Sequence, residues 1–238
     1  MSDLIWLNGQ IIPLAEARVS VEDRGFQFAD GVYEVVRVYN GRPFTLDEHL
    51  DRLDRSCGGI SLEMSMSRAE LSREMGKLIE KAGLKEGMIY LQVTRGCAPR
   101  NHVFTKCQPT VLFYTRVLPA MVKPNQTKGL RLVSVPDERW SRCWVKSIGL
   151  VANVLAKNTA IAAGADEAVF VQGGMVTECS TSNIFIVSRG SLLTHPVGPK
   201  VLPGITRLVL LEVAKELGIP TVERPISEGE VLAAEEVF

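Results

Sequence analysis

The chain has 238 residues, of which 46 % are hydrophobic, enough to bury the core of one large domain or two modest ones. Lysine and arginine together number 27, as do aspartate and glutamate, so the formal net charge is zero. A balanced charge gives no electrostatic reason to expect nucleic acid or an anionic membrane surface as a partner. No apolar run reaches the roughly 18 residues that a membrane helix needs.

The cysteines, the histidines and the first residues indicate a cytoplasmic protein without a metal site. The five cysteines form no Cys-x-x-Cys pair, and the three histidines are not spaced like zinc ligands. An odd, scattered set of cysteines is typical of reduced thiols in the cytosol. The opening residues MSDLIWLNGQ carry an acid and lack the apolar stretch of a signal peptide. We therefore expect a soluble, cytoplasmic protein.

The first half of the chain predicts a hairpin, two helices and two further strands. An Asn8-Gly9 turn joins the two strands of the hairpin. Capping boxes at Thr45 to Glu48 and at Ser67 to Glu70 each begin a helix with one apolar face. Two later segments have the composition and alternation of strands. The strands expected in this half lie over residues 4–7, 10–14, 88–95 and 109–117.

The second half begins after a predicted linker. Residues 118–128 contain two prolines and little periodicity, which favours a linker between domains. The mixture of hairpins and separate helices favours an α+β fold over a doubly wound sheet. We therefore predict an N-terminal α+β domain over 1–117 and a C-terminal domain over 129–238. The elements expected in the C-terminal domain are strands near 130–135, 167–172 and 183–187 and helices near 150–163 and 205–217.

The last residues predict a short helix and the beginning of a strand. Ser227 to Glu230 is a third capping box, and the helix it begins leads into Glu236-Val237-Phe238. A domain rarely ends on the first residues of an apolar strand. We therefore expect the C-terminal domain to lack its C-terminal part in this sequence.

Two of the four segments that could carry chemistry are CWVKSIGL (143–150) and LPGITR (202–207). A lysine such as Lys146 in a dry site loses its preference for the charged form, and its free amine can attack a carbonyl. The local sequence alone favours a surface lysine with its head in water. In LPGITR a loop becomes a helix, so free backbone N–H groups could bind a phosphate. An ordinary loop-to-helix junction explains that segment too.

The other two segments are TECSTSN (177–183) and TRGCAPRNH (94–102). The first groups an acid, several hydroxyls and an amide, which could hold a polar ligand or form a turn that satisfies its own side chains. The second has two arginines and a histidine, which suit a carboxylate or a solvated loop. A lysine, an acid, a phosphate cup and a cationic clamp are together what pyridoxal phosphate chemistry requires.

In order and spacing, these segments resemble the class IV pyridoxal-phosphate aminotransferases. The residues that carry the resemblance are E-x-S-x-x-N-I-F from Glu178, L-x-T from Leu192 and L-x-G-I-x-R from Leu202. Within that family the sequence is most similar to the D-amino-acid aminotransferases, through 22–36, 48–53, 93–96 and Arg100-x-His102. The resemblance covers essentially the whole chain. It implies two α+β domains with pyridoxal 5′-phosphate between them.

The resemblance implies a role for each site residue. Lys146 is the lysine that binds the cofactor covalently and then shuttles a proton, and Glu178 faces the pyridine nitrogen. The residues implied to hold the rest of the cofactor are Arg52, Ile205 and Thr206 at the phosphate and Leu202 against the ring. Helical geometry alone places Arg52 away from the apolar face of its helix and predicts a solvent-facing side chain. Only the resemblance assigns it to phosphate.

The resemblance also implies the substrate site and the assembly. Tyr33, Arg100 and His102 match the carboxylate trap for D-amino acids, and Tyr90 lies nearby. In the family the loop from Arg100 to His102 reaches into the neighbouring subunit, which implies a homodimer. The expected reaction transfers an amino group from D-alanine or D-glutamate to 2-oxo acids such as 2-oxoglutarate or pyruvate. No metal is required.

Other activities of the same family stay open at this point. They are a branched-chain L-amino-acid aminotransferase, an (R)-amine aminotransferase and aminodeoxychorismate lyase. A hypothesis of a different class is a relative that binds the cofactor without turnover. Tyr33 and the Arg100-x-His102 pair favour D-amino acids.

Overall fold

The computed structural model describes residues 3–118 and 129–238, which form two compact units. The first unit contains 3–118 and the separate segment 145–149, and the second contains 129–144 and 150–238. The predicted linker over 118–128 lies almost wholly outside the described residues. The segment 145–149 differs from the sequence prediction, which assigned it to the C-terminal domain. The exact domain boundaries stay a prediction.

The first unit is built on one antiparallel sheet of six strands. Its strands are β1 (Leu4–Leu7), β2 (Gln10–Pro13), β3 (Gly31–Tyr39), β4 (Arg42–Pro43), β5 (Gly87–Thr94) and β6 (Thr110–Val117). Their order across the sheet is β2-β1-β6-β5-β3-β4. Its α-helices are α1 (Arg24–Phe28), α2 (Leu46–Gly59) and α3 (Arg68–Lys81). Helix α2 packs on β3, the strand that carries Tyr33.

Strand β3 is one of the elements that the sequence prediction missed in this unit, together with α1 and β4. Alternate residues Val32, Glu34, Val36 and Val38 are buried. A glutamate therefore occupies a buried position of the strand. Because the apolar alternation is interrupted there, the pattern did not identify a strand.

The two helix starts predicted in the first unit gave different outcomes. At α3 the Ser67 and Glu70 side chains form both bonds of a capping box, which confirms the prediction. At α2 the prediction of a capping box was wrong. Thr45 has a left-handed backbone, with φ of 51°, and caps no N–H group with its side chain. Its hydroxyl instead donates to the carbonyl of Phe44 at 2.8 Å.

The second unit contains two four-stranded sheets. Its strands are β7 (Leu132–Pro136), β8 (Glu167–Gln172), β9 (Met175–Cys179), β10 (Phe185–Ser188), β11 (Ser191–Thr194), β12 (Thr221–Glu223), β13 (Ile226–Ser227) and β14 (Glu236–Val237). One sheet has the order β13-β9-β8-β7 and the other β12-β11-β10-β14. The pairs β7/β8 and β11/β12 are parallel, and the remaining pairs are antiparallel. The mixed α+β content agrees with the predicted fold class.

Helices cover the sheets of the second unit. They are α4 (Val151–Ala162), α5 (Ile205–Glu216) and α6 (Glu228–Leu232). Ala156 and Ala160 of α4 pack against Val135 and Phe170 of the β13-β9-β8-β7 sheet. The capping box at the start of α6 is formed as predicted, and β14 pairs with β10. Within the described residues, no helix is long and apolar enough to cross a membrane.

Candidate active site

Lys146 lies in the first unit, in a short segment bound to β3 by its backbone. The carbonyl of Lys146 accepts a hydrogen bond from the N–H of Tyr33 at 3.0 Å, and Ser147 pairs with Val32. The N–H of Lys146 donates to the hydroxyl of Ser56 on α2 at 3.0 Å. Its side chain is half-buried, with Nζ 4.3 Å from the centre of the Tyr33 ring. The amine is thus held against an aromatic face.

Tyr33 and Tyr90 lie side by side next to this lysine. Their ring centres are 5.7 Å apart, and Tyr114 stacks on the far side of Tyr90 at 5.0 Å. The hydroxyl of Tyr90 donates to Gln92 at 2.9 Å. Burial raises the pKa of Tyr90, and the neighbouring phenols of Tyr114 and Tyr33 raise it further. Tyr90 therefore stays protonated near neutral pH. The structure brings Lys146, Tyr33 and Tyr90 together.

Arg52 is buried, so the solvent-facing position expected from helical geometry was wrong. Its Nε donates to Oε1 of Glu34 at 2.8 Å and its Nη2 donates to Oε2 at 2.7 Å. His49 contributes a third bond, from Nδ1 to Oε2 of Glu34 at 2.7 Å. Burial would raise the pKa of Glu34, but the bonds from Arg52 and His49 hold it below its ordinary value. A buried carboxylate from β3 is what allows this arginine to be buried.

Arg100 and His102 lie on the exposed loop between β5 and β6, against α1. The guanidinium of Arg100 is 4.4 Å from the centre of the Phe28 ring and donates to the carbonyl of Gln27 at 3.4 Å. The ring of His102 is 5.3 Å from that of Phe28. The structure thus groups both basic side chains around one aromatic ring on an exposed surface.

Two buried arginines hold the base of that loop. Arg24 and Arg95 both donate to Oδ2 of Asp30 at 2.8 Å. Arg24 also donates to the carbonyl of Asn101 at 2.6 Å, and the Arg95 guanidinium lies 3.8 Å from the centre of the Phe104 ring. Burial would raise the pKa of Asp30, but hydrogen bonds from Arg95 and Arg24 hold it below its ordinary value. An ion cluster therefore fixes the loop that carries Arg100 and His102.

Glu178 lies in the second unit, at the end of β9, with its side chain almost fully buried. Oε1 accepts from Nη1 of Arg139. Oε2 accepts from Nδ2 of Asn183 at 2.9 Å and from the N–H of Leu202 at 3.0 Å. Burial raises the pKa of Glu178 to about 7, although the positive charge of Arg139 opposes that shift. Glu178 and Leu202 are thus brought together.

Helix α5 begins at Ile205 and presents an uncapped N-terminus. Its N-cap residue is Gly204, no side chain caps its N–H groups, and its first turn has no acidic residue. Ile205 is buried, whereas Thr206 is exposed. A Cβ on Gly204 would stand 2.0 Å from Oδ1 of Asn183, so only glycine fits at this start without displacing the amide that bonds Glu178. Backbone N–H groups of this kind bind phosphate oxygens well.

Each unit, taken by itself, supplies groups that suit one part of pyridoxal 5′-phosphate. In the first unit, Lys146 supplies an amine and Arg52 a guanidinium whose plane is fixed by Glu34. In the second unit, Glu178 supplies a carboxylate, and Ile205 and Thr206 supply N–H groups of an uncapped helix. These are the groups that bind an aldehyde carbon, a ring nitrogen and a phosphate.

The sequence did not identify Glu34, Ser56, Asp137, Arg139 and Asn183, which contact the predicted site residues or support their partners. Glu34 was missed because a strand was not recognised, and Ser56 because serines within a helix carry no distinguishing pattern. Asp137 and Arg139 follow β7 in a stretch, PDERW, that has the composition of a solvated turn. Asn183 was noted only as part of a polar segment. The available signal was the i, i+3 spacing of His49 and Arg52, which places two basic side chains on one side of α2.

Comparison with known proteins identifies the family. The family model for amino-transferase class IV matches residues 31–238. The D-alanine aminotransferase of Bacillus licheniformis is 41 % identical over 235 residues, covering 98 % of this chain and 83 % of the relative. The D-alanine aminotransferase of Listeria monocytogenes (strain F2365) is 43 % identical over 237 residues, covering 98 % of this chain and 82 % of the relative.

Solved structures give the same fold. A branched-chain amino acid aminotransferase from T.th., solved with pyridoxamine 5′-phosphate, superposes with a TM-score of 0.92 at 28 % identity, covering 100 % of this chain and 82 % of that one. The branched-chain aminotransferase of Thermoproteus uzoniensis superposes with a TM-score of 0.90 at 30 % identity, covering 100 % of this chain and 83 % of that one. The chain therefore belongs to the amino-transferase class IV family, whose members are enzymes that depend on pyridoxal 5′-phosphate.

Proposed function

We propose that this protein transfers the amino group of D-alanine and related D-amino acids to 2-oxo acids such as 2-oxoglutarate. The observation that carries the proposal is the identity of 41 to 43 % with D-alanine aminotransferases over 98 % of this chain. The branched-chain aminotransferases among the structural neighbours named above are only 28 to 30 % identical. The grouping of Arg100 and His102 on one loop supports the same proposal, since guanidinium and imidazole groups bind carboxylates.

The cofactor, when bound, supplies the electron sink that lets an amino acid lose its Cα proton. We assign to Lys146 the covalent attachment of the cofactor and the movement of that proton by Nζ. Its backbone is fixed by the bonds to Tyr33 and Ser56, so the change between these tasks requires motion of the side chain alone. Glu178 would keep the ring nitrogen protonated, while Arg52 and the N–H groups of Ile205 and Thr206 would hold the phosphate and Leu202 would pack against the ring.

We assign substrate binding to the residues around Lys146 and to the cationic loop. Tyr33, whose ring contacts the lysine amine and stacks with Tyr90, would form an aromatic wall beside the reacting carbon. Arg100 and His102 bind the α-carboxylate of the amino acid and thereby select its configuration. Arg24, Asp30 and Arg95 act on this step indirectly, because they fix the loop.

A paired assay tests the proposed function. The purified protein with pyridoxal phosphate is incubated with 2-oxoglutarate and either D-alanine or L-leucine, and pyruvate and glutamate enantiomers are quantified. We expect pyruvate and D-glutamate from D-alanine and little turnover of L-leucine. Turnover of L-leucine without turnover of D-alanine would overturn the D-specific assignment. Pyruvate release from aminodeoxychorismate without any 2-oxo acid would indicate the lyase, and no turnover of any donor a non-catalytic relative.

We also propose a homodimer in which the loop from Arg100 to His102 serves the partner's site. The exposed apolar side chains of Phe26, Val103 and Phe104, on α1 and that loop, support an interface there. Arg100→Ala and Lys146→Ala proteins, each inactive alone, are co-expressed with different tags, and the mixed dimer is purified. We expect activity in the mixed dimer, because one of its sites has both an intact lysine and an intact loop. An inactive mixed dimer, or a monomer by light scattering, would contradict the proposal.

A further inference from the structure

The side chain that holds Glu178 is Arg139, in the loop that follows β7. Nε of Arg139 donates to Oδ1 of Asp137 at 2.9 Å, and Nη2 donates to Oδ2 at 2.8 Å. Nη1 donates to Glu178. The side chains of all three residues are at most 6 % exposed. The guanidinium also lies 4.2 Å from the centre of the Phe170 ring, which packs against it. One arginine thus joins two buried carboxylates.

The orientation of the Glu178 carboxylate is set by three donors. Arg139 occupies Oε1, while the amide of Asn183 and the N–H of Leu202 occupy Oε2. A carboxylate has about four acceptor positions. Three of them are used by groups of the protein, which leaves a position for one more donor. The carboxylate is therefore aimed before any ligand arrives.

The charges of this cluster do not cancel. With both carboxylates ionised, Asp137, Arg139 and Glu178 together carry one negative charge. Leaving such a charge buried is costly unless a cation pairs with it. Among the described residues, the thiols of Cys143 and Cys179 also interact electrostatically with Glu178, and burial raises the pKa of each to about 11. Both thiols therefore stay neutral near pH 7 and add no charge to the cluster.

We propose that Arg139 is a positioning residue that keeps Glu178 ionised and fixes the orientation of its carboxylate. Asp137 prevents Arg139 from neutralising Glu178, so that one negative charge remains for a protonated ring nitrogen. The inference rests on the proposed function, in which Glu178 faces that nitrogen. Burial alone would favour the neutral acid, which cannot stabilise a ring cation. Arg139 counters burial, and its own bidentate pairing with Asp137 limits how far it does so. Arg139 thereby acts through Glu178 without touching the reacting atoms.

The test separates the ring nitrogen from the rest of the cofactor. Dissociation constants are measured for pyridoxal phosphate and for its analogue with CH in place of the ring nitrogen, on the full chain. The dissociation constant of the analogue divided by that of pyridoxal phosphate reports the contact with the ring nitrogen alone. Arg139→Met is expected to reduce this ratio by about tenfold or more, which corresponds to about 1.4 kcal/mol. Arg131→Met, which removes an exposed arginine paired with Asp166, is the control and should leave the ratio unchanged.

Substitutions of Glu178 and Asp137 test whether Arg139 acts through Glu178. Glu178→Gln should remove the preference for pyridoxal phosphate, and Arg139→Met should add nothing in that background. Asp137→Asn and Arg139→Met should shift the pH at which the preference develops in opposite directions, lower for Asp137→Asn and higher for Arg139→Met. If Arg139→Met does not fold, Arg139→Lys replaces it in the test. That variant keeps the positive charge but loses the bidentate hydrogen bonding of the guanidinium, so it should lose part of the preference for pyridoxal phosphate.

Equal weakening of both ligands by Arg139→Met would show a merely structural role and overturn the inference. An unchanged ratio in Glu178→Gln would overturn it too, because Arg139 would then have nothing to act through. These outcomes differ from failure of the proposed function. In that case the wild-type protein would bind pyridoxal phosphate with the expected preference but fail to transaminate D-alanine.

Discussion

The Lys146→Ala protein is expected to lose transamination almost completely, with kcat lowered by about 10⁴-fold or more. Loss of a positioned general base alone costs about 10² to 10⁴-fold, and the same change removes the nucleophile that holds the cofactor. The loss should not come from misfolding. The hydrogen bonds that fix this segment to Tyr33 and Ser56 use backbone groups of residue 146, which alanine retains.

A matched lysine variant and a chemical label complete this experiment. Lys77→Ala removes an exposed lysine of α3 that pairs with Glu74, and it should leave kcat unchanged. Borohydride reduction of the wild-type protein with pyridoxal phosphate, followed by peptide mass spectrometry, should find the pyridoxyl group on Lys146. A pyridoxyl group on another lysine, or wild-type kcat in Lys146→Ala, would show that Lys146 is not the catalytic lysine.

The Glu34→Ala protein is expected to be less stable by about 3 to 5 kcal/mol. That is the usual cost of removing one partner of a buried ion pair, because the other charge is left uncompensated. Here Arg52 would lose two hydrogen bonds and His49 one. In a chain of this size, the loss lowers Tm by roughly 6 to 20 °C. Thermal and urea unfolding of the cofactor-free protein measure it.

The control for Glu34→Ala is a substitution on the neighbouring helix α2. Asp51→Asn removes an exposed carboxylate that pairs with Arg68 and should change Tm little, since exposed pairs contribute little. The pKa of Glu34 in the folded protein lies below its ordinary value of 4.5. The stabilisation by this pair is therefore complete above about pH 4.5 and lost as the pH falls through the lowered pKa. Glu34→Ala should be less sensitive to acid in that range. Equal Tm values for Glu34→Ala and Asp51→Asn would contradict a stabilising role of the pair.

Local interactions were predicted well from the sequence, and long-range pairings were not. The capping boxes of α3 and α6, each complete within four residues, form as expected, whereas the one predicted at α2 does not form. The buried position of Arg52 could not be predicted, since it depends on Glu34, 18 residues away on another element. Strand β3 was missed for the same reason, because Glu34 breaks its apolar alternation until its partner is known.

The candidate site follows the same division. The sequence identified Lys146, Glu178 and the LPGITR segment because their residue types and spacing resemble those of a known family. The residues that support them, Ser56 and Arg139, have no such spacing. Their positions follow from hydrogen bonds across 90 residues to Lys146 and 39 residues to Glu178. The sequence thus identifies the groups proposed to meet the cofactor, and the folded structure adds the groups that aim them.

The segment 145–149 has a consequence for how this protein can be divided. It belongs to the first unit, although the residues on either side of it belong to the second. A gene cut in the predicted linker would therefore yield an N-terminal fragment without Lys146 and without the strand-like contact to Val32. Neither unit corresponds to one continuous stretch of chain. Exchange of whole domains between relatives would have to transplant this pentapeptide separately, so the lysine and its aromatic neighbour Tyr33 are expected to be inherited as a matched pair.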